Sequence, residues 1–229
     1  MKKSLSYLLL VIAASVGLLV PHSTSAQSFE GQIKMKMQSG KGDPIVMNYA
    51  MKDPRVRMEI PTTGKENMVG LLDWEKREMS MLMPGQTMYM VIELKDVPMV
   101  DEVQKAHDST TLEKTSETAT IVGREATKYI SRDGKTVMEL WLAPGIGSWF
   151  NMSGGNPMKP KKLSNWEREI IAKKLFPLRI VGFDSKGKKN MTSEVIELTP
   201  QKLDDAMFLP PPGYTRFSMG GLLKGLGGK

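Results

Sequence analysis

The stretch that decides the fold covers residues 78–92 and reads EMSMLMPGQTMYMVI. Met79, Met81 and Met83 alternate with other residues, and the alternation resumes at Met88 after a Pro-Gly-Gln sequence. A period of two places every second side chain on one face of a β-strand, and the Pro-Gly pair favours a chain reversal. The stretch therefore predicts a β-hairpin with one face lined by methionine.

The same alternation recurs along the rest of the chain. In residues 29–37 every second residue from Phe29 is apolar or Gly, while the residues between them are polar or charged. Short strands at regular spacing, separated by hairpin turns, predict an antiparallel meander. Further strands are predicted over residues 45–51, 56–60, 68–72, 119–131 (with an interruption near Gly123), 136–142, 178–183 and 190–198.

Two segments break the strand pattern. In residues 97–118 the character changes: Val100 and Val103 could lie on one side of a short helix, and the polar residues 108–118 lack a period, which predicts a mobile connection or lid. Residues 164–175 predict an amphipathic helix, because Ser164 and Glu167 form a capping box ahead of an apolar stripe and Pro177 follows it. Residues 143–160 are rich in Gly, Pro and Asn and predict a loop. This loop carries apolar side chains that we expect to be buried, namely Ile146, Trp149 and Phe150.

The N-terminus predicts export. Residues 1–26 combine Lys2 and Lys3, an apolar run and the small residues of a cleavage site at Ala26, which is typical of a signal peptide; an uncleaved anchor is the alternative. We expect a periplasmic or secreted protein with one domain over residues 27–217 and a flexible Gly-rich tail over 218–229. Because the chain has no cysteine, disulfides, thiolate chemistry and lipid attachment to Cys are excluded.

The basic charge points to an anionic surface as a possible partner. The formal net charge is +7, which falls to +5 when Lys2 and Lys3 leave with the signal peptide. Lysines cluster at residues 159–162 and 186–189, where they could meet lipid headgroups or simply be solvated. Export argues against nucleic acid as a partner, and the oligomeric state is not predicted.

Methionine is the unusual component of the composition. Twelve of the nineteen methionines lie between Met35 and Met99. Three interpretations stay open: an ordinary core, an adaptable wall for ligands of varied shape, and a soft-metal site, since thioethers bind Cu(I). Our prediction contains no metal site, and the Cu(I) site is kept as an alternative. The residues predicted to line a ligand cavity are Met47, Met58, Met79, Met81, Met88, Met90 and Trp141.

Enzyme motifs are absent from the sequence. After signal cleavage His107 is the remaining histidine, and no nucleophile elbow, phosphate-binding loop or paired-histidine motif is present. We therefore predict no catalytic residues and no cofactor.

Taken together, several short motifs resemble those of the LolA/LolB-like lipoprotein-carrier superfamily, and more closely those of an uncharacterised exported bacterial family with a domain of unknown function. They are Phe29-x-Gly31-x-Ile33, Asp53-Pro54-Arg55-Val56-Arg57-Met58-Glu59, Met83-Pro84-Gly85-Gln86-x-Met88-Tyr89 and Pro211-Pro212-Gly213-Tyr214. The resemblance implies a mainly β (α+β) fold, an incomplete antiparallel β-barrel whose open side is covered by helices. Carriers of this superfamily hold acyl chains in the cavity between sheet and helices.

The sequence thus predicts an exported binding protein that holds a lipid or another hydrophobic molecule in a methionine-lined cavity. The alternatives are an interaction module whose interior is filled and a periplasmic Cu(I)-binding protein. No catalysis is expected in any of the three.

Overall fold

The computed structural model describes residues 29–62, 66–94, 112–133, 136–150 and 163–217, which form one twelve-stranded β-sheet and one α-helix. The strands are β1 (Glu30–Ser39), β2 (Ile45–Lys52), β3 (Arg55–Ile60), β4 (Met68–Asp73), β5 (Glu78–Met83), β6 (Met88–Glu93), β7 (Leu112–Ile121), β8 (Arg124–Asp133), β9 (Thr136–Ala143), β10 (Phe176–Phe183), β11 (Lys189–Pro200) and β12 (Thr215–Arg216). Helix α1 spans Asn165–Ala172, and short 3-10 helices cover Pro84–Gln86 and Asp205–Phe208. The predicted signal peptide and tail lie outside the described residues.

The sheet consists of two antiparallel meanders, β1–β6 and β7–β11, which are joined by the pairing of β1 with β11. Its strand order is β12-β6-β5-β4-β3-β2-β1-β11-β10-β9-β8-β7, so the first and last strands in this order are not neighbours and the sheet is not closed. The pairs are antiparallel except that β12 lies parallel to β6. The mainly β, open-sheet architecture confirms that part of the predicted fold. Several helices were expected, whereas the described residues contain one α-helix.

Because consecutive strands run antiparallel, the turns between them lie at two opposite rims of the sheet, one at each end of the strands. The tight turns at residues 40–44, 84–87 and 184–188 lie on one side, which we call the hairpin rim. Residues 53–54, 74–77 and 144–150 lie on the opposite side, which we call the loop rim.

Strand periodicity separates an inner from an outer face. Along β1 the side chains of Ile33, Met35 and Met37 are buried, while Lys34 and Lys36 between them are exposed. This is the alternation predicted for a strand with one wet face. The inner face, defined by those three buried side chains, carries the main hydrophobic cluster of the protein.

Two small clusters on the outer face fix the C-terminal segment. Leu203 and Phe208 pack with Ala50 of β2, and Tyr214 packs beside Leu71 of β4. These contacts hold the segment after β11 against the domain. Leu209, next to Phe208, is 51% exposed.

The hairpin of residues 78–92 forms as predicted. Its register pairs Met79 with Ile92, Met81 with Met90 and Met83 with Met88, so these side chains share one face. The Pro84–Gln86 turn is a short 3-10 helix followed by Thr87 in the left-handed region.

Two predictions in the middle of the chain are wrong. Residues 112–118 belong to strand β7 and not to an irregular connection, and residues 119–131 form two strands and not one interrupted strand. The polarity of β7 fits its place at the edge of the sheet, where charged side chains protect an unpaired backbone. The turn between β7 and β8 places Val122 and Gly123 at φ 44° and 75°, and a β-branched residue gives no warning of such a turn. The start of the predicted connection, residues 97–111, lies outside the described residues.

Helix α1 begins at the predicted capping box. The backbone N–H and the hydroxyl of Ser164 both donate to Glu167 Oε2, at 2.8 and 2.7 Å. The helix ends at Ala172, three residues earlier than predicted, because Lys174 adopts a left-handed φ of 49° and β10 begins at Phe176. Its apolar stripe is buried against the inner face. Within the described ranges, no helix is both long and apolar enough to cross a bilayer.

Candidate functional site

A row of side chains crosses the inner face of five neighbouring strands. Tyr49 pairs with Met58, Met58 with Gly70, Gly70 with Met81, and Met81 with Met90. Because in-register residues on neighbouring strands share a face, these side chains form a continuous strip from β2 to β6. The four side chains of this strip are buried. The strip is therefore a wall made largely of thioether groups.

Gly70 shapes this wall, although nothing in the sequence marked it. A Cβ atom built on Gly70 would lie 3.2 Å from Met58 Cε, 3.6 Å from Met81 Sδ and 3.9 Å from Ile60 Cδ1. The ends of two methionines thus occupy the space that a side chain on β4 would fill. Since these ends are the most flexible parts of their side chains, the wall can change its contour there.

The structure brings most of the predicted wall residues together. Met47, Met58, Met79, Met81 and Met90 are buried in the same inner cluster. Met88 is half-buried beside Met83 at the hairpin rim. Trp141 is half-buried and stands in register with Lys128 and Arg179, and Lys128 Nζ lies 5.8 Å from its ring centroid. Trp141 therefore packs against the main hydrophobic cluster while standing between two basic residues of the neighbouring strands. Ligand binding by any of the seven stays a prediction.

Residues 144–150 cover the wall at the loop rim. Ile146, Trp149 and Phe150 are buried, as predicted, and the carbonyl of Gly145 accepts a hydrogen bond of 3.2 Å from the N–H of Phe29. Gly147 adopts a φ of 116°, and a Cβ there would lie 3.0 Å from Met51 Cε. The loop thus packs directly on the inner face.

Aromatic contacts join this loop to its surroundings. The ring of Trp149 stacks on Trp166 of α1 with centroids 5.9 Å apart, and Phe150 meets Trp74 edge-on at 6.0 Å. Such pairs add to the stabilisation from burial. The loop, α1 and the β4–β5 turn therefore act as one packed unit, and no pattern in the sequence indicates this association.

A few polar atoms are enclosed in this apolar interior. The hydroxyl of Tyr49 donates to the weak acceptor Met47 Sδ at 3.8 Å. Burial raises the pKa of Tyr49, and the neighbouring Trp149 indole lowers it by a smaller amount. The indole N–H does not form a hydrogen bond of good geometry with the Tyr49 hydroxyl. Among the described residues, Ser193 Oγ and Trp149 Nε1 have no hydrogen-bond partner. These buried groups can donate hydrogen bonds, which are costly to leave unused.

A groove of about 190 Å³ lies on the opposite, outer face. Its lining includes the polar side chains of Gln32, Asn48, Arg57 and Glu59, with Met207 at one end. Arg57 donates to the carbonyl of Met207 at 3.3 Å. This groove is polar and is not the cavity predicted between sheet and helix.

The described residues hold no group of three or more His, Cys, Asp or Glu that could bind a metal ion. His107, the one histidine of the predicted mature chain, lies outside the described residues. The Cu(I) alternative rests on methionine sulfurs alone and stays a hypothesis.

Solved structures that are similar to this chain come from several bacteria. An uncharacterized conserved protein from Thermus thermophilus is 14% identical with a TM-score of 0.51, covering 84% of this chain and 91% of that chain. The MucA/MucB complex of Pseudomonas aeruginosa includes a match at 12% identity and a TM-score of 0.45, over 82% of this chain and 58% of that chain. A LolA superfamily protein from Nitrosomonas europaea is also similar, at 10% identity and a TM-score of 0.32, over 81% of this chain and 91% of that chain.

The likeness to the Thermus protein shows a shared fold. A comparison with curated proteins found no match. The model of one protein family matches residues 29–214, which is nearly the whole described chain. The chain belongs to this family, described as a domain of unknown function (DUF4412), which confirms the predicted membership in an uncharacterised family.

Proposed function

We propose that this is an exported, non-catalytic binding protein that holds a lipid or another hydrophobic molecule against its methionine wall. The observation that carries the proposal is the strip from Tyr49 to Met90, in which buried thioether side chains of neighbouring strands meet across Gly70.

The choice of side chain supports a ligand. A core that needs one packed state is served best by Leu, Ile and Val, whose rotamers are well defined. Methionine is unbranched and polarizable, and it repacks around partners of different shape. The flexible ends of Met58 and Met81 occupy the place where a rigid core would have a Cβ on β4, so the wall can change its contour there. We infer that the wall accommodates apolar chains of varied outline.

The enclosed polar atoms suit an amphiphile with one hydrogen-bonding group. The indole N–H of Trp149 can only donate, and the Tyr49 hydroxyl has only a sulfur as its acceptor. A carboxylate or ester carbonyl beside them would supply the missing acceptor. In this proposal α1 and residues 144–150 form the cover that closes the ligand in.

Native mass spectrometry of the mature protein tests the proposal directly. Protein purified under mild conditions should carry adducts that disappear after delipidation. The delipidated protein should then bind a fluorescent fatty-acid probe saturably. Repeated preparations without adducts, together with no saturable probe binding, would contradict the proposal.

A pair of variants locates the binding surface. Gly70→Val fills the space shared by Met58 and Met81, so it should weaken probe binding at least tenfold. Gln32→Val adds an apolar side chain on the outer face of β1 and should leave binding unchanged. The urea transition of each variant shows whether it is folded. If both variants bind equally well, the ligand does not lie on the inner face.

A filled interior is the main alternative. It is favoured by the loop of residues 144–150, because Ile146 is fully buried in the inner cluster and Gly147 lies against Met51. A protein of this kind would act through its surface and would bind no probe. Saturable binding that is lost in Gly70→Val but retained in Gln32→Val argues against it.

A Cu(I) site is the other alternative, favoured by the cross-strand pair Met81–Met90. Competition against a Cu(I) chelator, with the double variant Met81→Leu/Met90→Leu, tests it. Leucine keeps the volume and removes the sulfur, so an unchanged copper affinity contradicts this alternative.

A further inference from the structure

We propose that the hairpin rim docks on an anionic phospholipid membrane through the turns at residues 40–44 and 184–188. The two turns are far apart in sequence, but the β1–β11 pairing brings them side by side. Ser39 pairs with Met191, and the N–H of Gly40 donates to the carbonyl of Asn190 at 2.7 Å. They therefore form one continuous surface, which we call the docking patch.

The docking patch is strongly basic. Its turns carry the exposed lysines Lys41, Lys186 and Lys188, and the adjoining strands β1 and β11 add Lys36 and Lys189. Three carboxylates lie near these five, namely those of Asp43, Asp184 and Glu194. The Asp184 carboxylate accepts backbone N–H bonds from Lys186 and Lys188 at 2.9 Å each. Glu194 stands in register with Lys36 and forms an ion pair with Arg179 at 2.7 Å. Within the part of the chain that the structure describes, none of the five lysines forms an ion pair, whereas Lys34 on the same strand as Lys36 is paired with Glu197 at 2.7 Å.

Two further acidic residues described at this rim, Glu113 and Glu66, lie outside the patch. Glu113 forms an ion pair with Arg132 on β8. Glu66 lies toward the β5–β6 turn, where a Cβ on Gly85 would be 3.8 Å from its carboxylate. The positive field of the patch is therefore not cancelled by these neighbours.

Apolar side chains stand beside the lysines. Ile45 and Val46 are 46% and 40% exposed, an unusual exposure for large aliphatic side chains in this protein. Val46 stands in register with Lys36, and Ile45 with Met37. A lysine cluster with adjacent aliphatic side chains fits a lipid surface, where the ammonium groups meet phosphates and the aliphatic groups enter the interface. Single-stranded nucleic acid would instead need aromatic side chains for stacking, and neither turn carries one.

The same rim is where the methionine wall becomes accessible. Met68, Met83 and Met88 at this end of β4–β6 are half-buried, whereas Leu72 and Met79 near the loop rim are buried. A membrane bound at the docking patch would face this more open end. The link between docking and ligand exchange rests on the proposed function, while docking itself requires no bound ligand.

Vesicle co-sedimentation of the full mature chain tests the docking. Wild-type protein should sediment with vesicles of phosphatidylcholine and phosphatidylglycerol in equal parts, but not with phosphatidylcholine alone. Added salt should weaken the binding, because the attraction is screened. A lysine near an anionic surface contributes a factor of about five to binding, so K186Q/K188Q/K189Q should lower the partition coefficient roughly a hundredfold.

The matched control is K76Q/K174Q/K202Q, which removes the same charge from exposed lysines at the loop rim. It should retain most of the binding. The double variant Ile45→Ser/Val46→Thr keeps the charge of the protein. It should bind vesicles more weakly, with an unchanged dependence of binding on salt. Urea transitions monitored by tryptophan fluorescence establish that each variant is folded.

Three results would overturn the docking proposal. The first is no binding of wild type to anionic vesicles, as expected if the patch meets an acidic protein instead. The second is an equal loss of binding in the two lysine triples. The third is vesicle binding that all variants retain, as expected if another surface meets the membrane. None of these results affects ligand binding measured by native mass spectrometry, so failure of the docking and failure of the proposed function are distinguishable.

Discussion

The same substitution, glycine to alanine, should destabilise the protein strongly at one position of the inner face and very little at another. At Gly31 a Cβ would lie 2.3 Å from the carbonyl oxygen of Thr199 and 2.6 Å from Phe29 Cζ. At Gly70 the nearest atom is Met58 Cε at 3.2 Å. The obstacle at Gly31 includes the backbone of β11, while the obstacle at Gly70 is the flexible end of a side chain.

The magnitudes follow from what has to move. Gly31→Ala forces β1 and β11 apart, and overpacking of this kind costs about 3 kcal/mol or more. Gly70→Ala needs only a rotation of Met58, and the less flexible unfolded chain offsets this by about 0.4–1 kcal/mol. We therefore expect Gly70→Ala to change the free energy of unfolding by less than about 1 kcal/mol. For a domain of this size, the corresponding falls in Tm are about 6–12 °C for Gly31→Ala and less than about 4 °C for Gly70→Ala.

Urea unfolding followed by tryptophan fluorescence measures both effects, since Trp149 and Trp166 are buried in the inner cluster. Calorimetry of the same variants gives Tm. If Gly70→Ala is as destabilising as Gly31→Ala, the methionines do not yield and the adaptable wall is refuted. If Gly31→Ala leaves the free energy of unfolding unchanged, β1 and β11 do not pack as closely at Gly31 as the structure indicates.

Three further predictions concern the polar framework. Hydrogen bonds from Lys52 and then Arg55, at 2.6 and 2.7 Å, hold the pKa of Asp205 below its ordinary value of 3.8, so the folded state favours the carboxylate. Asp205→Asn should therefore lower the urea midpoint at pH 7, and the difference from wild type should vanish as the pH falls through the lowered pKa; a difference that grows in acid would contradict this. Ser164→Ala removes the cap of α1 and should cost about 0.5–2 kcal/mol in urea unfolding, with Ser164→Thr as the tolerated control. Tyr49→Phe removes a hydroxyl that donates only to sulfur, so a change above about 1 kcal/mol in the same assay would show an acceptor stronger than the one observed.

Local sequence was sufficient for most of the strands and for the start of α1. The period of two in β1 and in the 78–92 hairpin assigns each side chain to a face without reference to any other strand. The Ser164–Glu167 box is likewise closed within four residues. Strand β7 was missed because an edge strand with one paired side carries polar residues on both faces and resembles a loop.

The candidate site was only partly predictable. The alternation could identify Met58, Met81 and Met90 as residues of one face. It could not identify Gly70 as the space between them, because that depends on the register of β3, β4 and β5. Nor could it identify the neighbours of Trp141, because Lys128 and Arg179 come from two other strands.

The sequence alone determined which face is apolar in most strands, because side-chain direction in a strand repeats every two residues and needs no distant partner. Only the tertiary structure decided which faces meet. The pairing of β1 with β11 joins the two meanders, places the lysines of residues 41 and 186–189 on one rim, and lets residues 144–150 pack on the methionine wall. Such long-range pairings depend on the combined burial of many strands, and no single segment contains enough of that free energy to specify its partner.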